Sequence, residues 1–372
     1  MAATAIQGAV TYDFALVGGG LQNGLVALAV RAHQPDAQIV MIERGDAPGG
    51  NHTWCFHDEV PAWVEPLVTV RWAGYEVAFP AYRRELAAAY ACVTATRFAE
   101  VVAAACEVRV RATALSLGAD HVLVRAPDGS VSEVRARTVI DARGPDRADP
   151  GACGWQKFLG RELRLAAPHG LARPMLMDAT VVQRDGFRFM YVLPLAADRL
   201  LVEDTYFSDG TYLDAEASRV AIDEYVAARG WTVAAVEREE TGVLPLPLHG
   251  APARANAPLE AGYGGGWFHP VTGYSFPIAA RLADAIARGG DLEQLARAQT
   301  RQAQFAHRLN RMLFRWFPPD QRYRVLERFY RLPEPIVRRF YALELTAFDR
   351  ARILIGRPPR GLSWSAMLRG NA

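Results

Sequence analysis

Apolar residues along this chain fall into short unbroken runs in the first two thirds and helical spacing in the last third. The first run, Phe14-Ala15-Leu16-Val17, predicts a short buried strand, and Leu21 to Ala32 predicts a helix. Together, Phe14 to Val30 come close to the length of a membrane span. Gly18-Gly19-Gly20 and the Gln22-Asn23 pair instead mark a turn inside the stretch. A second strand, Gln38 to Ile42, ends at Glu43. Val108 to Arg143 predicts short strands with a Pro127-Asp128-Gly129 turn, closing in Thr138-Val139-Ile140-Asp141-Ala142-Arg143-Gly144. Phe187 to Leu195 alternates aromatic and aliphatic residues, and Leu200-Leu201-Val202 is a strand that ends in Glu203-Asp204-Thr205. A helix is predicted over Ile278 to Arg288. From Asp291 onward the pattern turns helical, with Phe305, Leu309, Met312, Leu313 and Trp316 at three- and four-residue spacing. Pro318-Pro319, Pro333, Pro335 and Pro358-Pro359 punctuate it.

The order strand, glycine turn, helix, strand, acid predicts a dinucleotide site. A strand that turns tightly into a helix needs glycine where backbone approaches a pyrophosphate seated on the helix N–H groups. Gly18 and Gly20 fill the first two fingerprint positions; the third is Asn23, with Gly24 one place late. Glu43 is placed to bind a ribose hydroxyl, which fits FAD or NAD better than a 2′-phosphate. An NAD domain would continue with further strand–helix units. Here Gly49-Gly50 closes a loop, Asn51-His52-Thr53-Trp54 follows, and a strand meander returns to Asp141, Arg143 and Gly144. By analogy of fold, that plan points to a glutathione-reductase-like, Rossmann-type α/β fold that binds FAD.

Composition adds a partner. The 372 residues are 51% hydrophobic and 22% charged, which excludes a disordered or collagen-like chain and allows two domains or one lobed one. Lys and Arg total 42 against 40 Asp and Glu, a net charge of +2. That balance hides an asymmetry: residues 301–360 carry 14 arginines and five acids, interleaved with Phe314, Trp316, Phe317, Phe329, Tyr330, Phe340 and Tyr341. Basic helices with aromatics suit an anionic membrane surface, or else a helical subdomain packed on the FAD lobe with a solvated basic face; no reading motif supports nucleic acid. The four cysteines are scattered without metal-ligand spacing, so free thiols and no metal site are expected. Met1 to Tyr12 shows no signal peptide, which suggests a cytoplasmic protein held peripherally at the inner face of the membrane.

Several segments carry a family likeness. They include V-G-G-G-L-Q-N-G-L (Val17 to Leu25), G-G-N-H-T-W (Gly49 to Trp54), V-I-D-A-R-G (Val139 to Gly144) and P-H-G-L (Pro168 to Leu171). Further along are M-D-A-T (Met177 to Thr180), R-L-L-V-E-D-T (Arg199 to Thr205) and F-H-P-V-T-G-Y-S (Phe268 to Ser275). R-M-L-F (Arg311 to Phe314) and R-F-Y (Arg328 to Tyr330) complete the set. In these the chain resembles bacterial lycopene β-cyclases; Cys55, where serine is expected, is a departure. The resemblance implies redox-neutral ring closure at the ψ-ends of lycopene, through γ-carotene to β-carotene. It also implies bound FAD in reduced form, with NAD(P)H as a possible reductant.

Such a cyclisation needs a desolvated acid that protonates an alkene, and apolar walls that keep water from the carbocation. The resemblance puts the acid at Glu203, with Asp204 as the alternate or an orienting group. Adjacent strand residues face opposite ways, so one of the two should reach a cavity. The turn around His269, Pro270, Thr272, Gly273 and Tyr274 feeds the helix predicted from Ile278, and its N–H groups could favour an anionic flavin. His52 and His269 could tune the flavin or relay a proton, and either could equally be a capped loop histidine. Residues 12–56, 95–160 and 261–289 would form the FAD-binding domain, 57–94 and 161–260 an interleaved substrate lobe, and 291–372 a helical C-terminal subdomain. Two other readings remain: an FAD-dependent reductase or monooxygenase acting on a prenyl or polyene lipid, and a non-catalytic prenyl-binding protein on the same fold.

Overall fold

A computed structural model describes residues 11–57, 60–144, 152–250, 253 and 255–355. The first ten residues, Pro358-Pro359 and the ends of the 291–372 and 301–360 segments lie outside the described residues.

The first sheet grows from β1 (Thr11–Val17), whose alternate residues all find partners because both faces are covered. It pairs in parallel with β2 (Ile39–Ile42) on one side and β11 (Val131–Asp141) on the other. β8 (Glu107–Arg109) extends it beyond β2, and β17 (Leu259–Glu260) adds to the end of β11. β9 (Thr113–Leu117) and β10 (His121–Arg125) form the antiparallel meander that returns through Pro127-Asp128-Gly129 into β11. Helix α1 (Leu21–His33) follows the glycine turn and lies against α4 (Phe276–Ala287). The two are tied by Gln22 donating to the Ala279 carbonyl and Gln34 to that of Ala287. α2 (Ala95–Ala105) starts at Thr94, whose hydroxyl caps it.

A second sheet of seven strands runs in the order β16 (Val233–Pro247), β12 (Cys153–Leu165), β15 (Arg199–Ser208), β14 (Phe187–Ala196), β13 (Met175–Asp178), β5 (Tyr75–Phe79), β6 (Tyr82–Leu86). Its one face packs on α3 (Ala215–Ala227) through Leu159, Leu163, Val192, Leu200, Val202 and Ile222. Its other face looks toward the first sheet. A small sheet of β3 (Trp54–His57), β7 (Tyr90–Val93) and β4 (Val70–Trp72) bridges the two.

Three expectations need correction. Residues 153–160 belong to β12, an interior strand of the second sheet paired with β15 and β16, and so cannot extend the nucleotide domain to residue 160. The strand at Leu200 does not stop at Glu203; it continues through Glu203 to Ser208, because Thr205, Tyr206 and Phe207 keep pairing with β12 and β14.

The C-terminal helices are α5 (Leu292–Trp316), α6 (Tyr323–Phe329), α7 (Glu334–Tyr341) and α8 (Ala347–Leu354). Here lies the third correction. Phe314, Phe317, Phe329, Tyr330, Phe340 and Tyr341 are buried in the core, so they do not offer a membrane face. Several of the arginines are also engaged internally: Arg322 with Asp209, Arg339 with Asp349, Arg331 with Glu327, and Arg328 with the carbonyls of Ile353 and Ile355.

Candidate active site

One cavity of about 500 Å³ runs from the glycine turn after β1 to the inner face of the second sheet. Its nucleotide end is lined by Gly20, Leu21, Gln22, Arg143 and Gly144. Gly18 has a φ of +92°, and a Cβ there would press on the Ala142 backbone at 2.9 Å, so glycine is required for β1 and β11 to converge at the turn. Gly20 caps α1 without any side-chain partner, no acid occupies the first helical turn, and a Cβ on Gly20 would meet only open space. Uncapped N–H groups facing a cavity suit a phosphate. The Glu43 carboxylate accepts from the Gly19 and Gly45 amides at 2.6 and 2.5 Å, fixing an acid beside the turn. These features fit the pyrophosphate and ribose of FAD.

The broken fingerprint has a structural explanation. Asn23 is fully buried, and its amide donates to the carbonyls of Val17 and Gly18, both at 2.9 Å, which locks the turn from below. A Cβ on Gly24 would run into the Phe98 ring of α2, so this glycine serves helix packing. Neither residue lines the cavity. The Gly49 amide bonds the Gly19 carbonyl at 2.8 Å, and Gly49 and Gly50 both take positive φ, so this loop closes over the glycine turn. His52 lines the cavity, whereas Asn51 is exposed and bonds the Glu239 carbonyl and Arg238. Asp141, at the end of β11, pairs with Arg143 at 2.7 Å, which leaves Arg143 at the cavity rim.

Thr272, Gly273 and Tyr274 line the middle of the cavity, ahead of α4, whose N-cap Ser275 makes no side-chain cap. A second uncapped helix N-terminus thus faces the same space. His269 and Pro270 are not at the cavity. Nδ1 of His269 accepts from the Val271 amide, and Nε2 lies 2.8 Å from the Phe340 carbonyl, so it donates there. Burial lowers its pKa to about 4, which keeps it neutral. His269 is a buried tie between the loop and α7, contrary to the flavin or proton-relay role expected of it. The Pro270 carbonyl accepts from Asn310.

At the far end the second sheet presents Phe158, Phe189, Tyr191, Glu203, Thr205 and Phe207 to the cavity, opposite Trp54, Cys55 and Tyr90. Withdrawal from water raises the Glu203 pKa well above the usual carboxyl range; the negative charge and hydrogen bond of Glu240 add to this, as does Cys55, while Arg238 opposes it. Asp204 points the other way. It is fully buried toward α3, accepting from Arg188 Nε at 2.7 Å and the Tyr206 hydroxyl at 2.6 Å. Strand alternation separates the adjacent acids, and Asp204 does not reach the cavity.

The arrangement therefore offers a buried carboxyl group with raised proton affinity in an aromatic pocket, continuous with two helix N-termini and a glycine turn. Sequence reasoning missed Gly160, Arg238 and Glu240, which sit beside Glu203. Isolated glycines within strands, here Gly160 and Gly242, were the available signal of a close approach. The charged run Glu237-Arg238-Glu239-Glu240 reads as solvated surface unless its pairing is known.

Comparison with known proteins sets this geometry in a family. The lycopene cyclase protein family model matches residues 13–367. A lycopene beta-cyclase from Pseudescherichia vulneris is 45% identical over 96% of this chain and 97% of its own length. Among solved structures, a flavin-dependent brominase superposes with a TM-score of 0.58 at 13% identity, covering 90% of this chain and 94% of its own. A geranylgeranyl bacteriochlorophyll reductase-like protein from Thermoplasma acidophilum does so at 0.57 and 14%, covering 98% and 96%. These structures share the Rossmann-type α/β fold. With the family model spanning nearly all of its length, this chain belongs to the lycopene cyclase family.

Proposed function

We propose that this protein is a lycopene β-cyclase that binds FAD and closes β-rings on the ψ-ends of lycopene, with Glu203 as the acid. The observation that carries this reading is a buried carboxyl group, its proton affinity raised by desolvation, in an aromatic cavity that runs on to the glycine turn. Glu203 donates its proton to the terminal C1=C2 bond, leaving a tertiary cation at C1. The C5=C6 bond attacks C1, and a base removes the C6 proton, so the reaction has no net redox change. Phe158, Phe189, Tyr191 and Phe207 exclude water that would trap the cation, and offer it ring faces. Gly18, Gly20 and Glu43 hold the nucleotide part of FAD, while Thr272, Gly273 and Tyr274 with the α4 N-terminus hold the flavin. Reduced FAD, when bound, supplies a negative charge beside the substrate cation.

The test is anaerobic incubation of lycopene in liposomes with the protein and chemically reduced FAD. Pigment chromatography should show β-ring products, with NAD(P)H needed only to prime the flavin. Oxidation of one reduced flavin per product would instead favour the reductase reading, and product that forms only once oxygen is admitted would favour the monooxygenase reading.

Lycopene is confined to bilayers, so the protein has to meet a membrane. No helix among the described residues is long and apolar enough to cross one. We assign the contact to α8 and its C-cap, where Phe348 and Ile355 are 70% and 64% exposed. Phe348 and the exposed Arg352, four residues apart, share one helix face, and Ile355 follows directly on the last turn. Binding to anionic vesicles should exceed binding to zwitterionic ones and weaken in high salt. The double variant Phe348→Ser/Ile355→Ser should lower flotation at least about 10-fold, given the apolar area removed. Unchanged flotation would move the contact elsewhere.

A further inference from the structure

Three neighbouring strands place Glu203, Gly160 and Glu240 in one row. Gly160, on the central strand β12, is directly opposite Glu203 on β15 and Glu240 on β16. Residues directly opposite across an antiparallel pair share a face, so all three positions point into the cavity side of the sheet. Two strands apart, Glu203 and Glu240 are separated by about 10 Å of backbone, and any side chain between them would stand in the gap. Glycine leaves that gap open. A Cβ on Gly160 would lie 2.7 Å from Glu203 Cγ and 3.3 Å from Glu240 Cγ, so the two acids lean together over it.

Glu240 is itself fixed. Arg238 donates to it at 2.6 Å, and the Thr53 hydroxyl lies at 3.2 Å. Arg238 is anchored in turn by Glu162 at 3.1 Å and by the Thr53 hydroxyl at 2.7 Å. Glu240 is only 4% exposed, and both of these donors, Arg238 and Thr53, address its Oε2. The charged and titratable groups facing Glu203 are Glu240 and Arg238 from β16, Tyr191 from β14 and Cys55 from β3.

We propose that Glu240 is a positioning residue for ring closure, accepting a hydrogen bond from the Glu203 carboxyl so that the acid keeps its proton and stays aimed, and that Gly160 is the strand position that lets the pair form. This rests on the reading of Glu203 as the acid. The raised proton affinity of Glu203, to which Glu240 contributes, agrees with the geometry. A like charge opposes ionisation of its neighbour, so removing it eases loss of the Glu203 proton. Cyclisation needs that proton; activity therefore fails as pH rises through the Glu203 pKa, and lowering that pKa brings the failure to lower pH.

The experiment measures β-ring formation from lycopene liposomes with reduced FAD between pH 5 and 10, for wild type, Glu240→Gln, Glu240→Asp, Gly160→Ala and Glu203→Gln. FAD absorbance and thermal melting establish that each variant is folded and loaded. Glu240→Gln should move the alkaline limb down by about one pH unit, which lowers turnover about 10-fold at pH values above the wild-type limb. Glu240→Asp, which keeps the charge, should restore much of the profile. Gly160→Ala keeps both acids but parts them, and should shift the limb the same way; it also serves if Glu240→Gln does not fold. Wild-type pH profiles in the folded Glu240→Gln or Gly160→Ala protein overturn the proposal. Activity surviving in Glu203→Gln would instead overturn the assignment of the acid.

Discussion

Replacing Glu203 with glutamine should lower ring closure at least about 100-fold, at the lower end of what a general acid contributes, while FAD loading and folding stay near wild type. Glutamine keeps the size of the side chain and can still donate a hydrogen bond to Glu240, so the row over Gly160 is preserved. It cannot give up an acidic proton to an alkene, which is a poor base. Glu203 lies in mid-strand with its backbone paired to Gly160 and Tyr191, so no turn or cap depends on the side chain. The measurement is β-ring product per FAD-loaded molecule under reducing, anaerobic conditions. Turnover within a few-fold of wild type would remove Glu203 from the chemistry.

Glu203 was legible because its strand carries a family motif and an apolar lead-in. The glycine turn and Glu43 were legible because phosphate binding forces a particular residue order near one strand and one helix. What lay hidden depends on contacts far apart in sequence. Glu240 is 37 residues beyond Glu203 and meets it only because β12 runs between β15 and β16. His269 looked chemical because it sits in a motif beside cavity residues, yet its partner, the Phe340 carbonyl, is 71 residues away. The aromatics of residues 301–360 misled for a related reason. Helical spacing shows that a face is apolar but not what covers it, and here the core does; the large apolar residues exposed in the described part of this segment are Phe348, Leu354 and Ile355, in α8 and at its C-cap. The broken fingerprint at Asn23 and Gly24 reads as a weakened nucleotide signal in sequence; in three dimensions one side chain locks the turn and the missing one admits Phe98.

Asp204, one residue on from the acid, should behave in the opposite way. Its carboxylate and the Arg188 guanidinium are 0% and 6% exposed, the pair is 2.7 Å apart, and the Tyr206 hydroxyl donates to the second oxygen. Asp204→Ala removes the ion-pair partner of the buried arginine and leaves it the Val182 carbonyl as acceptor. Breaking a buried pair on one side typically costs about 3–5 kcal/mol, so the melting temperature and the denaturant midpoint should both fall clearly. Turnover per folded molecule should nevertheless stay much closer to wild type than in Glu203→Gln, with the alkaline limb unmoved, because Asp204 faces α3 and not the cavity. The cost belongs mainly to the stranded charge. Arg188→Met/Asp204→Leu, which removes both charges and keeps the volume, should therefore recover much of the lost stability, as apolar replacements of buried ion pairs often do. A folded Asp204→Ala protein with wild-type stability and a 100-fold loss of ring closure would reverse the assignment of the two adjacent acids.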